Sequence, residues 1–248
     1  ATTKFTDLAI DWVDSQTQPW FLWLAYNAPH TPFHLPPGAA SSLPTDSASI
    51  EANPLPYYQA MIEAMDFEIG RLLESMTDAE RDNTVIIFVG DNGTPSEVVQ
   101  EYNSNRAKGS IYQGGINVPM VISGKNVSRA NQIDYSLINT TDLYVTIADI
   151  SGASISNIGD SRSFLQTLTS SDSEGREFIY SEKYNAQTQG FDYTIRNSTH
   201  KYIYFNNGNE ALFNLSINPL EFPNLLNANQ LPLNAVDNAA KNSLTEEL

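Results

Sequence analysis

Cysteine is absent from the 248 residues. That removes a disulfide framework, a thiolate metal site and a cysteine nucleophile within this chain. Basic residues are scarce, with 13 Lys and Arg against 29 Asp and Glu, and the formal charge is −16. A surface of that sign repels phosphate backbones, so no nucleic-acid partner is expected. A polyanionic substrate would need a locally positive site to approach. No apolar run reaches the length of a membrane span. The opening Ala1-Thr-Thr-Lys-Phe carries neither a signal peptide nor an initiator Met and reads as a processed or excised end. What the chain does have is 41% hydrophobic residues, enough for a core of one large domain or one and a half.

The central stretch is Thr84–Gly93. Val85 to Val89 is an unbroken, partly β-branched apolar run, as in a strand buried on both faces of a parallel or mixed sheet. It ends in Gly90-Asp91-Asn92-Gly93, either an ordinary Asn-Gly turn or, at the C-terminal end of a strand, a ligand position. Asp91 and Asn92 offer the oxygen atoms that a hard cation takes.

Before this stretch, Phe5, Leu8, Ala9, Trp12 and Val13 recur at helical spacing. Trp20–Tyr26 reads as a second buried strand, running into a proline-fixed loop with His30 and His34. Pro36–Pro56 is a long polar loop of the kind that forms functional rims. Tyr58, Met61, Ile62, Met65, Ile69, Leu72, Leu73 and Met76 form one stripe of a long helix, its Met residues belonging to the core. Trp12, Trp20 and Trp23 also read as core, and His200 as an exposed position beside a strand.

After the stretch come Lys108 beside glycines, a short strand at Val118–Ile122, and a helix from Asn139 with Gly152 as its C-terminal stop. Beyond Ile158, short alternating segments read as an antiparallel sheet, with Asn206-Asn-Gly-Asn as a hairpin. A terminal helix follows. The expected fold is α/β, a mixed and largely parallel sheet between helices. Residues 1–158 form the main part and residues 159–248 a small antiparallel subdomain.

The order of these pieces resembles the C-terminal part of a sulfatase of the alkaline-phosphatase-like superfamily. The pieces are Phe21–Pro32, Tyr58–Asp66 with Ile69–Leu73, Thr84–Gly93, Lys108–Pro119, Thr141–Gly152 and Ala211–Glu221. The resemblance implies that Asp91 and Asn92 are calcium ligands, that His30 bonds the sulfate ester near its leaving oxygen, and that Lys108 contacts a sulfate oxygen. It further implies a formylglycine nucleophile, a sulfated carbohydrate or aryl sulfate as substrate, and a periplasmic or secreted setting. The family's Cys/Ser-x-Pro-x-Arg motif and its first pair of metal-binding aspartates do not occur here. Formylglycine is therefore expected outside this chain. The 248 residues read as a fragment, with weak calcium binding and no turnover of their own. Gln113 stands where the family has Glu, and Asn117 where it has Arg; both changes neutralise a charge, as if an ion pair had become a neutral pair. The rival readings are a phosphonate or phosphate ester hydrolase of the same superfamily, and a non-catalytic remnant serving as a binding module.

Overall fold

The computed structural model describes residues 1–39, 42–155, 159–171, 175–187 and 189–248. They fall into two compact units, Ala1–Thr84 and Val85–Leu248. The boundary drawn near Ile158 from the sequence lies outside the described residues.

In the first unit, α1 (Thr2–Asp14) packs on α3 (Leu55–Ser75). Ala9 and Val13 meet Leu72 and Met76, with Leu22 and Leu24 against the same cluster. Of the stripe read from the sequence, Met61, Met65, Leu72 and Met76 are core, while Ile62 at its edge is 37% exposed. At its edge Arg71 bonds Asp7 at 2.9 Å, and the Thr6 and Tyr26 hydroxyls meet at 2.8 Å. Trp20–Tyr26 is extended, but no ladder partner joins it among the described residues. Its alternation survives: Leu22 and Leu24 turn inward while Phe21 and Trp23 are 60% and 66% exposed. Trp12 and Trp23 are therefore not core residues, being 39% and 66% exposed. The rim loop contains a short helix, α2 (Ser47–Ala52), whose Asp46 caps the Ser49 N–H at 2.9 Å. A capping box closes the start of α4 (Asp78–Asp82).

In the second unit, β1 (Val85–Val89) pairs with β2 (Met120–Gly124), Ile87 opposite Ile122. This ladder is antiparallel and two-stranded among the described residues, where the apolar run suggested a parallel sheet buried on both faces. The route of the chain explains the direction. Gly90 N–H donates to the Pro119 carbonyl at 3.0 Å and Gly93 N–H to Gly115 at 2.9 Å. The chain that leaves β1 therefore returns alongside it. Between them lie a 3-10 turn, Ser104–Arg106, and α5 (Gln113–Ile116). Further on, α6 (Asp142–Ser151) ends at Gly152 in the left-handed conformation, φ 71°, as its sequence predicts.

Four strands make the second sheet: β3 (Ile179–Asn185), β4 (Gly190–Arg196), β5 (His200–Tyr204) and β6 (Glu210–Asn214), in that order and all antiparallel. Period-two alternation sends Ile203, Ala211 and Phe213 to one face, against Ile111 and Tyr112. Tyr202, Leu212 and Ile195 go to the other, against Leu244 of α7 (Ala235–Glu246). Both faces are covered, which buries His200 as well. Its Nε2 lies 2.9 Å from Asp237 of α7, so it is not the exposed residue that the sequence suggested.

Candidate functional site

The loop after β1 and the segment from Arg106 to Ile116 are locked together by backbone contacts. Lys108 N–H donates to the Thr94 carbonyl at 2.9 Å, beside the Gly93–Gly115 bond. The fit leaves no room for side chains. A Cβ on Gly93 would lie 1.9 Å from the Gly114 carbonyl oxygen, and one on Gly115 would lie 2.2 Å from the Ser110 carbonyl oxygen. Glycine is required at both positions by close approach. The structure thus brings Asp91, Asn92 and Lys108 into one assembly of two interlocked loops.

Asp91 and Lys108 are exposed and Asn92 is half-buried. The Asn92 amide donates to the Asp91 carboxylate, so the two oxygen-bearing groups touch. Their donor type suits a hard cation. Their number does not, since calcium takes roughly six to eight oxygens. Among the described residues, no group of three or more His, Cys, Asp or Glu converges.

His30 belongs to the first unit, on an exposed turn closed by its N–H to the Asn27 carbonyl at 2.8 Å. Its Nδ1 lies 2.8 Å from the Thr31 carbonyl. A carbonyl can only accept, so Nδ1 carries the hydrogen, and Nε2 makes no hydrogen bond among the described residues.

Behind the Lys108 segment stands a buried charge network that sequence reasoning missed. Lys201 and Glu221 are both fully buried, their charges 2.7 Å apart. Lys201 Nζ also donates to the Ile111 carbonyl at 2.7 Å, and the other Glu221 oxygen accepts the Gln113 N–H at 2.8 Å. Burial pushes the Lys201 ammonium down to about 8, while Glu221 pulls the other way. Glu221 has a left-handed backbone, φ 61°, uncommon for a residue with a side chain. Arg106 donates to the Glu221 carbonyl and lies over the Tyr112 ring at 4.5 Å and the Phe213 ring at 5.4 Å. The segment bearing Lys108 is therefore bolted to β5 and β6. Gln113 faces Lys201, 3.5 Å from its Nζ, and Asn117 bonds Tyr102. They do not form the neutral pair that their charge-neutral identities suggested. A signal for Lys201 was present: by period two it shares a face with Ile203 and Phe205, both apolar.

Asp142 is a second buried charge, at the start of α6. Arg176 Nε reaches it at 2.8 Å, and the Arg162 and Asn139 N–H groups donate to it at 2.8 and 2.9 Å. Burial alone would raise this carboxyl, but Arg176 and the two backbone donors hold it below its usual range.

The sulfatase family profile matches residues 1–153. The uncharacterized sulfatase YdeN of Escherichia coli K12 is 32% identical over 158 residues, 61% of this chain and 28% of YdeN. The solved structure of BT4656 in complex with its substrate D-glucosamine-2-N,6-O-disulfate superposes with a TM-score of 0.62 at 21% identity, over 77% of this chain and 39% of that one. The phosphonate monoester hydrolase of Agrobacterium radiobacter gives 0.71 at 20% identity, over 99% and 60%. These two likenesses speak for the fold. The chain spans about a third or less of the curated relatives heading the comparison, 28% of YdeN and 34% of the arylsulfatase K of Xenopus laevis. With the profile covering more than half of its residues, the chain belongs to the sulfatase family.

Proposed function

We propose that this chain supplies one side of a sulfate-ester hydrolysis site, acting on a sulfated carbohydrate or an aryl sulfate. The observation that carries this reading is the pair of interlocked loops holding Lys108 beside Asp91 and Asn92. Lys108 offers a mobile ammonium with three donors for the sulfate oxygens, offsetting charge that builds up as the ester bond breaks. His30 presents Nε2, and in its protonated form that atom can donate to the departing alkoxide. Calcium, when bound, supplies Lewis-acid charge neutralisation. Asp91 and Asn92 would be two of its oxygen ligands, too few to bind it tightly by themselves. The nucleophile, a formylglycine in this reading, lies outside these 248 residues. Residues 1–158 carry the chemistry and residues 159–248 form the supporting subdomain. A sulfated sugar is favoured by the substrate named for BT4656, and a periplasmic or secreted location by the bacterial relatives. Among the described residues no helix is long and apolar enough to cross a membrane.

Turnover of 4-nitrophenyl sulfate by the product of the complete open reading frame tests this. Lys108→Ala and His30→Ala should each lower kcat/KM by roughly 100-fold or more, as loss of charge stabilisation or of general acid does. The likeness to the phosphonate monoester hydrolase sets the second reading. Hydrolysis of a phosphonate monoester with no action on the sulfate would replace the first reading by the second.

A further inference from the structure

A cavity of about 480 Å³ opens between the Lys108-bearing segment and the β5–β6 hairpin. Its size falls within the roughly 300–1,000 Å³ of small-molecule sites. Three aromatic rings line it: Tyr112 and Phe213, tilted at 6.1 Å between centroids, and Phe205, 6.1 Å from Tyr112. Its rim is a set of amides. Asn207 and Asn209 come from the hairpin turn, and Asn227 from the loop after β6. Asn224 makes the wall itself, because its side chain bonds Leu212 N–H, Leu226 N–H and the Glu210 carbonyl. The Asn207 oxygen accepts Asn209 N–H at 3.0 Å, and its NH₂ has no acceptor among the described residues. Among the described residues the side chains of Asn209 and Asn227 make no protein hydrogen bond.

The charge inside is positive. Arg106 spends one donor on the Glu221 carbonyl, and its plane is held over Tyr112 and Phe213. Its other N–H groups have no acceptor among the described residues. The one lining carboxylate, Glu210, is tied to Lys241 at 2.9 Å. An oriented guanidinium of this kind binds planar or tetrahedral oxyanions in a forked geometry. Aromatic faces suit the apolar face of a pyranose, and amides that both donate and accept suit its hydroxyls.

We propose that this cavity binds one anionic sugar residue, a pyranose bearing sulfate or carboxylate, with Arg106 on the anion, Phe205 or Tyr112 against the ring and Asn207, Asn209 and Asn227 on its hydroxyls. The choice of sugar rests on the sulfatase reading; the cavity chemistry stands apart from it. The site is distinct from Lys108 and gives the chain a place to hold part of an oligosaccharide without cleaving it.

The test is a titration of the ¹⁵N-labelled chain, followed at the side-chain amides of these three Asn and at Arg106 Nε–H. The probes are a sulfated galactose tetrasaccharide, the same tetrasaccharide chemically desulfated, and a uronate-containing tetrasaccharide. The sulfated or the uronate probe should shift these signals, and whichever does so identifies the anion. Arg106→Lys should weaken binding about tenfold by losing the fork. Asn209→Ala, at an exposed turn where folding is not at stake, should weaken it several-fold, about what one hydrogen bond contributes. Lys108→Ala should leave the affinity unchanged. Unmoved signals, equal binding of the desulfated probe, or loss of binding in Lys108→Ala but not in Asn209→Ala would each overturn the proposal. Binding is read at the cavity's own nuclei, so its failure says nothing against sulfate-ester turnover, and failed turnover says nothing against it.

Discussion

The two sheets of the second unit invert what their sequences suggest. β1 is the most continuously apolar strand, yet its residues are only partly buried, and Phe88 and the β2 residue Val121 are 36% and 62% exposed. β5 is mixed, His200-Lys-Tyr-Ile-Tyr, yet His200, Lys201, Tyr202 and Ile203 are all buried, Lys201 and Ile203 completely. The difference is in the neighbours. β5 has a strand on each side, the Lys108-bearing segment on one face and α7 on the other. β1 has one strand. An apolar run states what a strand can bear, while its surroundings decide what is buried.

The hardest blow to that contrast is Glu221→Gln. It leaves the Lys201 charge in the interior with no counter-charge, a loss of about 3–5 kcal/mol for a broken buried pair. Urea unfolding should show it, and a Lys201→Met, Glu221→Leu double variant should recover most of it. A loss below about 1 kcal/mol would show that the pair is not truly sequestered. Next in size, Leu212→Ala in the covered sheet should lose about 2–5 kcal/mol, whereas Val121→Ala on the open ladder should stay within about 0.5 kcal/mol. Equal losses would mean that the β1–β2 face is covered in solution.

The pH dependence should separate the charges as well. The Asp142 carboxyl is lowered on folding. Its contribution is fully present above its unfolded value near 3.8 and fades as pH falls through the lower folded value. Asp142→Asn should flatten the acid limb of stability by on the order of 1 kcal/mol. Lys201 carries the opposite charge but gives a slope of the same sign, at higher pH. Its ammonium is lowered to about 8 from 10.5, so the unfolded chain binds more protons between those values and stability rises with pH across them. Lys201→Met should abolish that rise. Smallest of all, Lys108→Ala should leave the melting temperature nearly unchanged, since the side chain is exposed; a drop of several degrees would mean that this side chain helps to hold its loop.

The helices were legible because their signals are local. The Met61–Met76 stripe, the Gly152 stop and the Asn206–Asn209 hairpin each rest on spacing or on one backbone conformation. Strand direction was not, because the antiparallel return of β2 depends on contacts between Gly93 and Gly115, far apart in sequence. Of the candidate site, Asp91, Asn92 and Lys108 were found from their loops, and the structure brings them into one assembly. The Lys201–Glu221 pair escaped because nothing near Glu221 marks a buried carboxylate. His200 escaped for a similar reason, since its partner Asp237 lies in α7.

The glycine interlock has a consequence for how this region can vary. Gly93 lies in the loop after β1 and Gly115 in α5, and each leaves open a space that neighbouring backbone occupies. A side chain at Gly93 drives the loop after β1 off Gly114 and Gly115, whereas one at Gly115 meets the Ser110 and Ala107 carbonyls of its own segment. The two positions therefore guard different gaps of one frame: a lesion at Gly93 parts the two segments, and one at Gly115 deforms the segment that bears Lys108. Asp91 and Lys108 are exposed on this frame, so either can be exchanged without filling the space that the glycines keep open, and the chemistry can be probed apart from the fit.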